Sequence, residues 1–197
     1  MKQSNIQEDK SIVITGAAGF IGSCFVRYLN DLGFANLILV DDYYQTDKWK
    51  NLENKKYREM ISKNDLFSYL NGQEENIQSF VHLGACSDTV CQDEDYLYKN
   101  NFLYSKNLCE YALKNNHRFV YASSAATYGI GDDGFCDSLD VIKKLKPINL
   151  YAHSKQNFDL WCLENKLFDQ VTGLKYFNVF GPNEEHKKRM SSMVLKM

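Results

Sequence analysis

The sequence predicts an α/β fold of the doubly wound kind, a parallel sheet with helices on both faces. The first observation is the alternation of short apolar runs with longer segments whose apolar residues recur at helical spacing. The second is a glycine-rich turn, Gly16 to Gly22, directly after the first apolar run. The third is the acidic pair Asp41-Asp42 at the end of the second run. Because ligands of such sheets bind at the carboxyl ends of the strands, these two segments indicate where a ligand would bind.

The glycine-rich turn has the context of a dinucleotide-binding fingerprint of the Rossmann type. A buried strand is predicted over Ser11–Thr15, and a helix is predicted from Phe20. Three glycines allow the tight turn and bring backbone N–H groups close to a pyrophosphate: Gly16, Gly19 and Gly22. Their spacing is G-x-x-G-x-x-G, which a turn without a ligand can also have. The second predicted strand, 36–40, favours a dinucleotide, since Asp41 follows Gly22 by 19 residues, where an acidic residue would meet the adenosine ribose.

The rest of the chain continues the alternation. Further strands are predicted around Met60-Ile61 and at 78–83, 119–123 and 171–177. Helices are predicted from Asp65, over 96–116 and over 150–163. The small residues Gly84 and Ala85 follow the strand at 78–83, where a cofactor could pass close to the backbone.

Composition narrows the class of protein. A hydrophobic content of 44% and a net charge of −2 are typical of an ordinary globular domain. The polar start, 1–10, lacks the apolar core of a signal peptide and no stretch is long enough to span a membrane, so we predict a cytoplasmic protein. The six cysteines lie singly, without a C-x-x-C pair, which favours reduced thiols over a metal site. The sequence has no concentrated basic patch that would indicate nucleic acid.

Three residues in the second half of the chain could carry out the proton transfer that accompanies a hydride transfer. Tyr151 and Lys155 lie four residues apart in a predicted helix and so project from one face. A free tyrosine has a pKa of about 10, and an adjacent ammonium favours its phenolate. Ser124, 27 residues before Tyr151, could donate a hydrogen bond to the reacting hydroxyl. Taken alone, the Tyr/Lys pair could be a chance surface pair, but the fingerprint upstream favours an oxidoreductase-type site.

Two further segments of the chain resemble those of a known enzyme family. The segments Tyr121–Gly129 (YASSAATYG) and Tyr176–Pro182 (YFNVFGP) are typical of extended short-chain dehydrogenase/reductases, the group of nucleotide-sugar epimerases and dehydratases. Three details point to one epimerase within this group: the segment Gly84–Thr89, the pair Lys48 and Lys63, and the pair His186-Lys187 just after Gly181-Pro182. The resemblance runs from about Ser11 to the last residue, and it implies the same doubly wound fold.

The resemblance implies a bound NADP and assigns residues to it. Phe20 and Ile21 would lie on the pyrophosphate, and Asp41 and Asp42 at the ribose. The residues implied at the 2′-phosphate are Lys48 and Lys63. Those implied along the adenine and nicotinamide path are Leu83, Gly84, Ala85, Cys86, Ser87 and Asn100. Lys155 and Val179 would also contact the cofactor, together with Tyr151.

The same resemblance implies an epimerase that removes a hydride from a nucleotide sugar and returns it to the other face. Tyr151 and Lys187 would be the two acid/base groups, with Ser124 and Asn178 on the sugar. Lys187 can also be interpreted as a solvated member of the charge run 184–189. Arg189 stands where a small polar substrate contact is expected, and so departs from the family's pattern.

The resemblance also bears on organisation and on competing activities. We expect an NADP-binding domain over residues 1–180, the start of a substrate-binding portion at 181–197, and a homo-oligomer, by resemblance a pentamer. Because the family continues past Met197, residues 1–197 alone are expected to bind NADP weakly, to aggregate and to show no epimerase activity. Other activities remain open, namely a 4-epimerase, a 4,6-dehydratase or a non-catalytic NADP-binding protein. The dehydratase pattern has Asp-Glu after the catalytic serine, whereas Ser124 is followed by two alanines.

Overall fold

The computed structural model describes residues 6–42, 47–132 and 134–197, with only the backbone described at Lys188 and Arg189. The chain divides into two compact units. The first contains the residues up to Leu83 together with Gly181–Met197, and the second is Gly84–Phe180.

Strands and helices alternate through the described residues, as the sequence predicts. The strands are β1 (Ser11–Thr15), β2 (Leu37–Asp41), β3 (Glu59–Ser62), β4 (Ile77–His82), β5 (Arg118–Ser124) and β6 (Val171–Tyr176). The helices are α1 (Phe20–Asp31), α2 (Leu66–Leu70), α3 (Glu94–Leu97), α4 (Tyr104–Lys114), α5 (Leu139–Ile142), α6 (Leu150–Glu164) and α7 (Met193–Lys196). Short 3₁₀ segments cover Asp47–Leu52, Glu74–Asn76, Ala125–Tyr128 and Glu185–Met190. Among the helices of the described ranges, none has the length and apolar content that crossing a membrane would need.

The first unit contains four parallel strands in the order β3-β2-β1-β4. Thr15 at the end of β1 lies in register with Val40 on one side and His82 on the other, and its hydroxyl is 2.6 Å from Nδ1 of His82. The carboxyl ends of β1, β2 and β4 therefore meet at one edge. That edge carries the glycine-rich turn and Asp41.

The core of the first unit explains why these runs are strands. Every residue of β1 and β2 is buried, and residues 12–14 and 37–40 are apolar, as in strands of a parallel sheet that is covered on both faces. One face of these strands packs against α1 through Val26 and Leu29. Each fully buried side chain of this size contributes roughly 1.5–3 kcal/mol.

The second unit contains the parallel pair β5 and β6, with Ser124 opposite Tyr176. Its core is aromatic, and the Tyr121 and Phe158 rings meet edge to face with centroids 4.7 Å apart. This contact packs α6 directly against β5. The two elements that carry Ser124 and Tyr151 are therefore fixed relative to each other.

The predicted helix over 96–116 is present but is not regular. It begins at Glu94, where the Asp93 carboxylate accepts the N–H of Tyr96, and it passes through a π-helical segment, Tyr98–Leu103, before α4. Asn101 is buried in that segment and hydrogen-bonds residues outside the helix. Apolar spacing does not report this irregularity, because the partners of Asn101 lie outside the helix. Such π segments recur at functional sites.

Candidate active site

The turn between β1 and α1 is held by backbone contacts that only glycine permits. Gly16 has a φ of 68°, and its N–H donates to the carbonyl of Val40 at 2.8 Å. The N–H of Gly19 donates back to the carbonyl of Gly16 at 3.1 Å. A Cβ atom on Gly22 would lie 2.1 Å from the oxygen of Gly16, so α1 packs on the turn without room for a side chain. The three predicted glycines are therefore brought together.

The start of α1 is suited to an anion. In the described structure no side chain caps this helix, whose N-cap is Gly19, and its first turn contains no acidic residue. Its first N–H groups lack partners within the helix, and the helix dipole adds positive charge there. Phe20 is buried and Ile21 half-buried at this position. A pyrophosphate, with its negative charge and acceptor oxygens, fits these donors.

Asp41 organises the end of β2. Its carboxylate accepts the N–H of Ala18 at 2.9 Å and that of Asp42 at 2.7 Å, and it forms an ion pair with Lys48. Lys63 pairs in turn with Asp42 at 2.9 Å. The structure therefore brings all four predicted ribose and phosphate residues to one place, next to the glycine-rich turn.

The segment after Gly181 packs against the same turn within the first unit. Asn51 donates to the carbonyl of Ala18 at 2.9 Å and also contacts the carbonyl of Asn183 and Nδ1 of His186. Burial and the charge of Lys48 lower the pKa of His186, which favours its neutral form. The segment therefore has an ordered attachment to the cofactor-side elements.

Lys187 lies on this segment, with its ammonium 5.5 Å from the centre of the Phe20 ring. The buried Glu184 holds the segment, because its carboxylate accepts the N–H of Gly181 at 2.9 Å and the N–H of Ser192 at 2.6 Å. Burial alone would raise the pKa of Glu184, but these hydrogen bonds and Lys187 lower it. Lys187 is therefore a positioned cation beside the start of α1 rather than a fully solvated one.

In the second unit, Ser124 and Tyr151 form a hydrogen-bonded pair. Ser124 ends β5 and is buried, and its hydroxyl hydrogen-bonds the Tyr151 phenol. Tyr151 lies in the first turn of α6, where the Asn149 side chain caps the N–H of Ala152 at 2.8 Å. Burial raises the pKa of Tyr151, the Ser124 hydrogen bond lowers it and Cys86 raises it, with a net increase. The expected lowering of this pKa is thus not found, because burial outweighs the groups that favour the phenolate.

Lys155 lies one turn further along α6 and is buried. Burial lowers its pKa to about 8, although the charge of Asp159 opposes this change. A buried lysine with such a pKa can hold or release a proton near neutral pH. The structure thus places the predicted pair on successive turns of one helix, with Tyr151 half-buried and Lys155 buried.

Asp159, which the sequence analysis did not single out, connects the elements of this site. Its buried carboxylate accepts from the Tyr121 hydroxyl at 2.8 Å and the Ser123 hydroxyl at 2.6 Å, and it pairs with Lys175 at 2.7 Å. Lys175 also donates to the Thr127 hydroxyl at 2.7 Å. One carboxylate on α6 therefore ties together β5, β6 and the 3₁₀ turn after Ser124. Its position four residues after Lys155 is the signal that could have found it.

The other predicted residues of the second unit lie in loops and in the π segment. Cys86 exchanges two backbone hydrogen bonds with the Asn101 side chain, at 2.8 and 2.9 Å, and Asn101 also donates to the Ser154 hydroxyl at 2.9 Å. The neighbouring Asn100 donates to Asn101 at 2.9 Å. Gly84 and Ala85 are half-buried and Ser87 is exposed, whereas Leu83 closes the first unit with an N–H bond to Thr15 at 3.1 Å. Asn101, which the sequence analysis passed over for its neighbour, is the residue that fixes this loop to α6.

The remaining predicted residues follow β6. Asn178 and Val179 are both exposed in the irregular segment after this strand. The Arg189 side chain lies outside the described residues. Across the described ranges, no group of three or more histidine, cysteine, aspartate or glutamate side chains could hold a metal ion.

Comparisons with known proteins agree with this geometry. Residues 12–197 match the NAD dependent epimerase/dehydratase family. The ADP-L-glycero-D-manno-heptose-6-epimerase of Nitratidesulfovibrio vulgaris is 44% identical over 186 residues, which is 93% of this chain and 58% of that protein. The enzyme of the same name from Fusobacterium nucleatum is 44% identical over 188 residues, 93% of this chain and 57% of that protein. The chain therefore spans less than two thirds of the length of these relatives.

Solved structures show the same architecture. The ADP-L-glycero-D-manno-heptose-6-epimerase of Helicobacter pylori superposes with a TM-score of 0.80 at 30% identity, covering 100% of this chain and 64% of that one. A UDP-N-acetylglucosamine 4-epimerase of Methanobrevibacter ruminantium gives a TM-score of 0.76 at 28% identity, covering 94% and 60%. These likenesses confirm the predicted Rossmann-type fold.

Proposed function

The chain belongs to the NAD dependent epimerase/dehydratase family, and we propose that it acts as an ADP-glyceromanno-heptose 6-epimerase. This activity interconverts ADP-D-glycero-D-manno-heptose and ADP-L-glycero-D-manno-heptose. The observation that carries the proposal is the half-buried Tyr151, whose phenol hydrogen-bonds the buried Ser124, with the buried Lys155 one turn away. The identities of 44% to relatives of this name support the choice of substrate over other nucleotide sugars.

The proposed reaction oxidises the C6 carbinol to a ketone and reduces it again from the other face. A bound nicotinamide would supply the hydride chemistry at C6, both the removal and the return. Tyr151 exchanges the hydroxyl proton for one epimer and Lys187 for the other, since the two carbinols direct their hydroxyls differently. Ser124 orients the reacting hydroxyl, because its own hydroxyl already hydrogen-bonds the Tyr151 phenol.

The raised pKa of Tyr151 suits the reduction step in particular. A phenol that holds its proton at neutral pH can donate it to the alkoxide that forms when the hydride returns. In the oxidation step Tyr151 has to accept the hydroxyl proton as its phenolate, and a bound oxidised nicotinamide would supply a positive charge that favours this form. Lys155, whose pKa of about 8 keeps part of its population neutral near neutral pH, can relay the proton.

We infer that the cofactor is NADP. The glycine-rich turn and the start of α1 would hold its pyrophosphate through their backbone N–H donors. Three donors already occupy the Asp41 carboxylate, so less acceptor capacity is left for ribose hydroxyls. The ammonium groups of Lys48 and Lys63 offset the two carboxylates and can also donate to a 2′-phosphate.

The rest of the proposal rests on the family resemblance and on the relatives' names. Leu83 to Ser87, Asn100 and Val179 would line the cofactor, and Asn178 and Arg189 would contact the sugar. The cofactor domain would run to residue 180, with the start of a substrate-binding portion after it. The protein would work in the cytoplasm as a homo-oligomer and supply heptose for the lipopolysaccharide core.

The test compares two substrates in one protein. The chain, extended by the C-terminal portion of the Nitratidesulfovibrio vulgaris relative (the extended form), is incubated with NADP and ADP-D-glycero-D-manno-heptose in D₂O. Nuclear magnetic resonance should show both C6 epimers, without deuterium at C6, because the hydride that leaves is the one that returns. UDP-glucose should remain unchanged. Conversion of UDP-glucose instead would assign the site to a 4-epimerase, and deuterium at C6 would exclude the hydride mechanism.

A further inference from the structure

Two cysteines meet in the loop that precedes α3. The Cys91 N–H donates to the carbonyl of Asp88 at 3.2 Å, and the Val90 N–H donates to the Asp88 carboxylate at 3.1 Å. This turn reverses the chain after Cys86. The thiols of Cys86 and Cys91 consequently lie within hydrogen-bonding contact of each other. Neither is joined in a disulfide, and both are partly exposed.

The two cysteines differ in how firmly they are held. Cys86 is fixed by two hydrogen bonds between its backbone and Asn101, which is tied to Ser154 on α6. Cys91 is held by the local turn at Asp88. An anchored thiol beside one on a surface turn can reach disulfide geometry by a local adjustment of the turn.

The Cys86 thiol also borders the catalytic helix. Its charge is one of the influences that raise the pKa of Tyr151, so the sulfur lies near the phenol. The N–H of Asp88 donates to the same sulfur and stabilises its thiolate. The sulfur therefore connects the loop turn with the Tyr151 environment.

We propose that Cys86 and Cys91 are an oxidant-sensitive thiol pair whose disulfide closes the 86–91 turn beside Tyr151. The oxidant is a peroxide. One thiolate attacks the peroxide, the O–O bond breaks, and a sulfenic acid forms with release of water or an alcohol. The other thiol then attacks the sulfenic sulfur, the S–S bond forms and water leaves. The peroxide is reduced by two electrons and the two thiols are oxidised by two.

The chain contains its own control pair. Cys109 and Cys162 also lie near each other, since the charge of Cys109 raises the pKa of Cys162. Both are fully buried, and burial raises the pKa of Cys109 to about 12. An oxidant needs both access and a thiolate. The partly exposed pair, Cys86 and Cys91, should therefore react while the buried pair stays reduced.

The experiment is a peptide map of the native chain. Trypsin cleaves after Lys63 and Lys99 but at no site between them, so peptide 64–99 contains Cys86 and Cys91 and no other cysteine. The protein is treated with hydrogen peroxide, quenched, unfolded, alkylated with N-ethylmaleimide and digested. Peptide 64–99 should be lighter than its reduced, unalkylated form by two hydrogen atoms and should carry no alkyl group. Dithiothreitol before alkylation should restore two alkyl groups.

The outcomes decide the proposal without any cofactor or substrate. Burial raises the pKa of Cys86, so the reaction should be slow at neutral pH and faster as pH rises. Cys91→Ser should abolish the mass loss, and it leaves the groups assigned to catalysis untouched. The proposal fails if peptide 64–99 keeps two alkylated thiols after treatment. It also fails if Cys86 is oxidised to sulfinic acid in the parent as readily as in Cys91→Ser, or if a disulfide joins the peptides of Cys109 and Cys162 first.

Discussion

The two compact units build their candidate functional groups in different ways. In the first unit the candidate groups are mainly backbone groups, namely the N–H groups at the start of α1 and the tightly packed glycine turn, which are proposed to bind the dinucleotide. The second unit works through side chains, since Ser124, Tyr151 and Lys155 are buried or half-buried polar groups. A backbone site needs space more than a particular functional group. A side-chain site needs each polar group to keep its partner.

This difference indicates where each unit is vulnerable. In the first unit an added methyl group is harmful where the backbone packs closely, while side chains at the surface can be exchanged at small cost. In the second unit the loss of a single oxygen or charge removes a reacting group or leaves a partner unpaired. Four sets of substitutions test this comparison.

The largest effect is expected from Tyr151→Phe in the second unit. The ring still packs on α6, but the hydroxyl that hydrogen-bonds Ser124 is gone. General acid–base groups contribute about 10²–10⁴-fold, so epimerisation by the extended form should fall by that factor. NADP affinity should stay near that of the parent, measured by quenching of protein fluorescence. Tyr28→Phe, at an exposed position on α1, is the matched control and should keep full turnover. If Tyr151→Phe turns over at a rate close to that of the parent, Tyr151 is not the acid/base group.

Asp159→Asn tests the side-chain network by its stability. The change removes the carboxylate that pairs with Lys175 at 2.7 Å and leaves that largely buried ammonium without its charge partner. Breaking a buried pair from one side costs about 3–5 kcal/mol, and the lower figure is expected here because Lys175 keeps some exposure. Urea unfolding of residues 1–197 measures the loss.

The double variant Asp159→Asn/Lys175→Met provides the control for this network. It should regain more than half of the lost free energy of unfolding, because no unpaired charge remains. If the loss in the double variant equals the sum of the losses in Asp159→Asn and Lys175→Met, the two groups act independently.

Gly22→Ala and Gly19→Ala test the close backbone packing of the first unit, again through the free energy of unfolding. A Cβ atom at Gly22 would lie 2.1 Å from the Gly16 oxygen, whereas one at Gly19 would lie 3.2 Å from it. Overpacking against the backbone costs typically about 1–3 kcal/mol, so we expect about 3 kcal/mol at Gly22 and about 1 kcal/mol at Gly19. Urea unfolding of the two variants gives the comparison. Equal losses at both positions would show that close packing of α1 does not distinguish them.

The same difference explains how much of the molecule the sequence could predict. The strands begin and end within one or two residues of the predicted bounds, because buried β-branched runs and the glycine turn are local signals. Gly16, Gly22 and Asp41 were predicted from spacing, and the structure places them together. Features built on the backbone are therefore readable from residue types at fixed separations.

The network around Asp159 could not be read in this way. Its partners Tyr121, Ser123 and Lys175 come from β5 and β6, and no local pattern reports that they converge on one carboxylate. The net rise in the pKa of Tyr151 was likewise unpredictable, because it depends on burial rather than on the spacing to Lys155. Tertiary contacts determine both features.

The smallest effect is expected at the partly exposed lysines of the first unit, where Lys48 pairs with the buried Asp41 and Lys63 with Asp42. Removing both ammonium groups leaves two carboxylates facing any 2′-phosphate. A charge-assisted hydrogen bond contributes about 1.5–3 kcal/mol at best, and screening at a partly exposed site reduces this. We expect NADP affinity to fall about tenfold in Lys48→Ala/Lys63→Ala, which corresponds to about 1.4 kcal/mol, while NAD affinity changes little.

Calorimetric titration with NADP and with NAD measures this preference. Lys50→Ala is the matched control, because Lys50 is exposed. Among the ion pairs of the described residues, Lys50 takes part only in the one with the exposed Asp47, at 3.5 Å. The preference should fall further with added salt in the parent than in the double variant, since the lost interaction is electrostatic. Equal affinity of the parent for NADP and NAD would contradict the role given to the two lysines. That result would not affect the proposal that the glycine turn binds the dinucleotide, because the backbone groups of the turn would bind either cofactor equally.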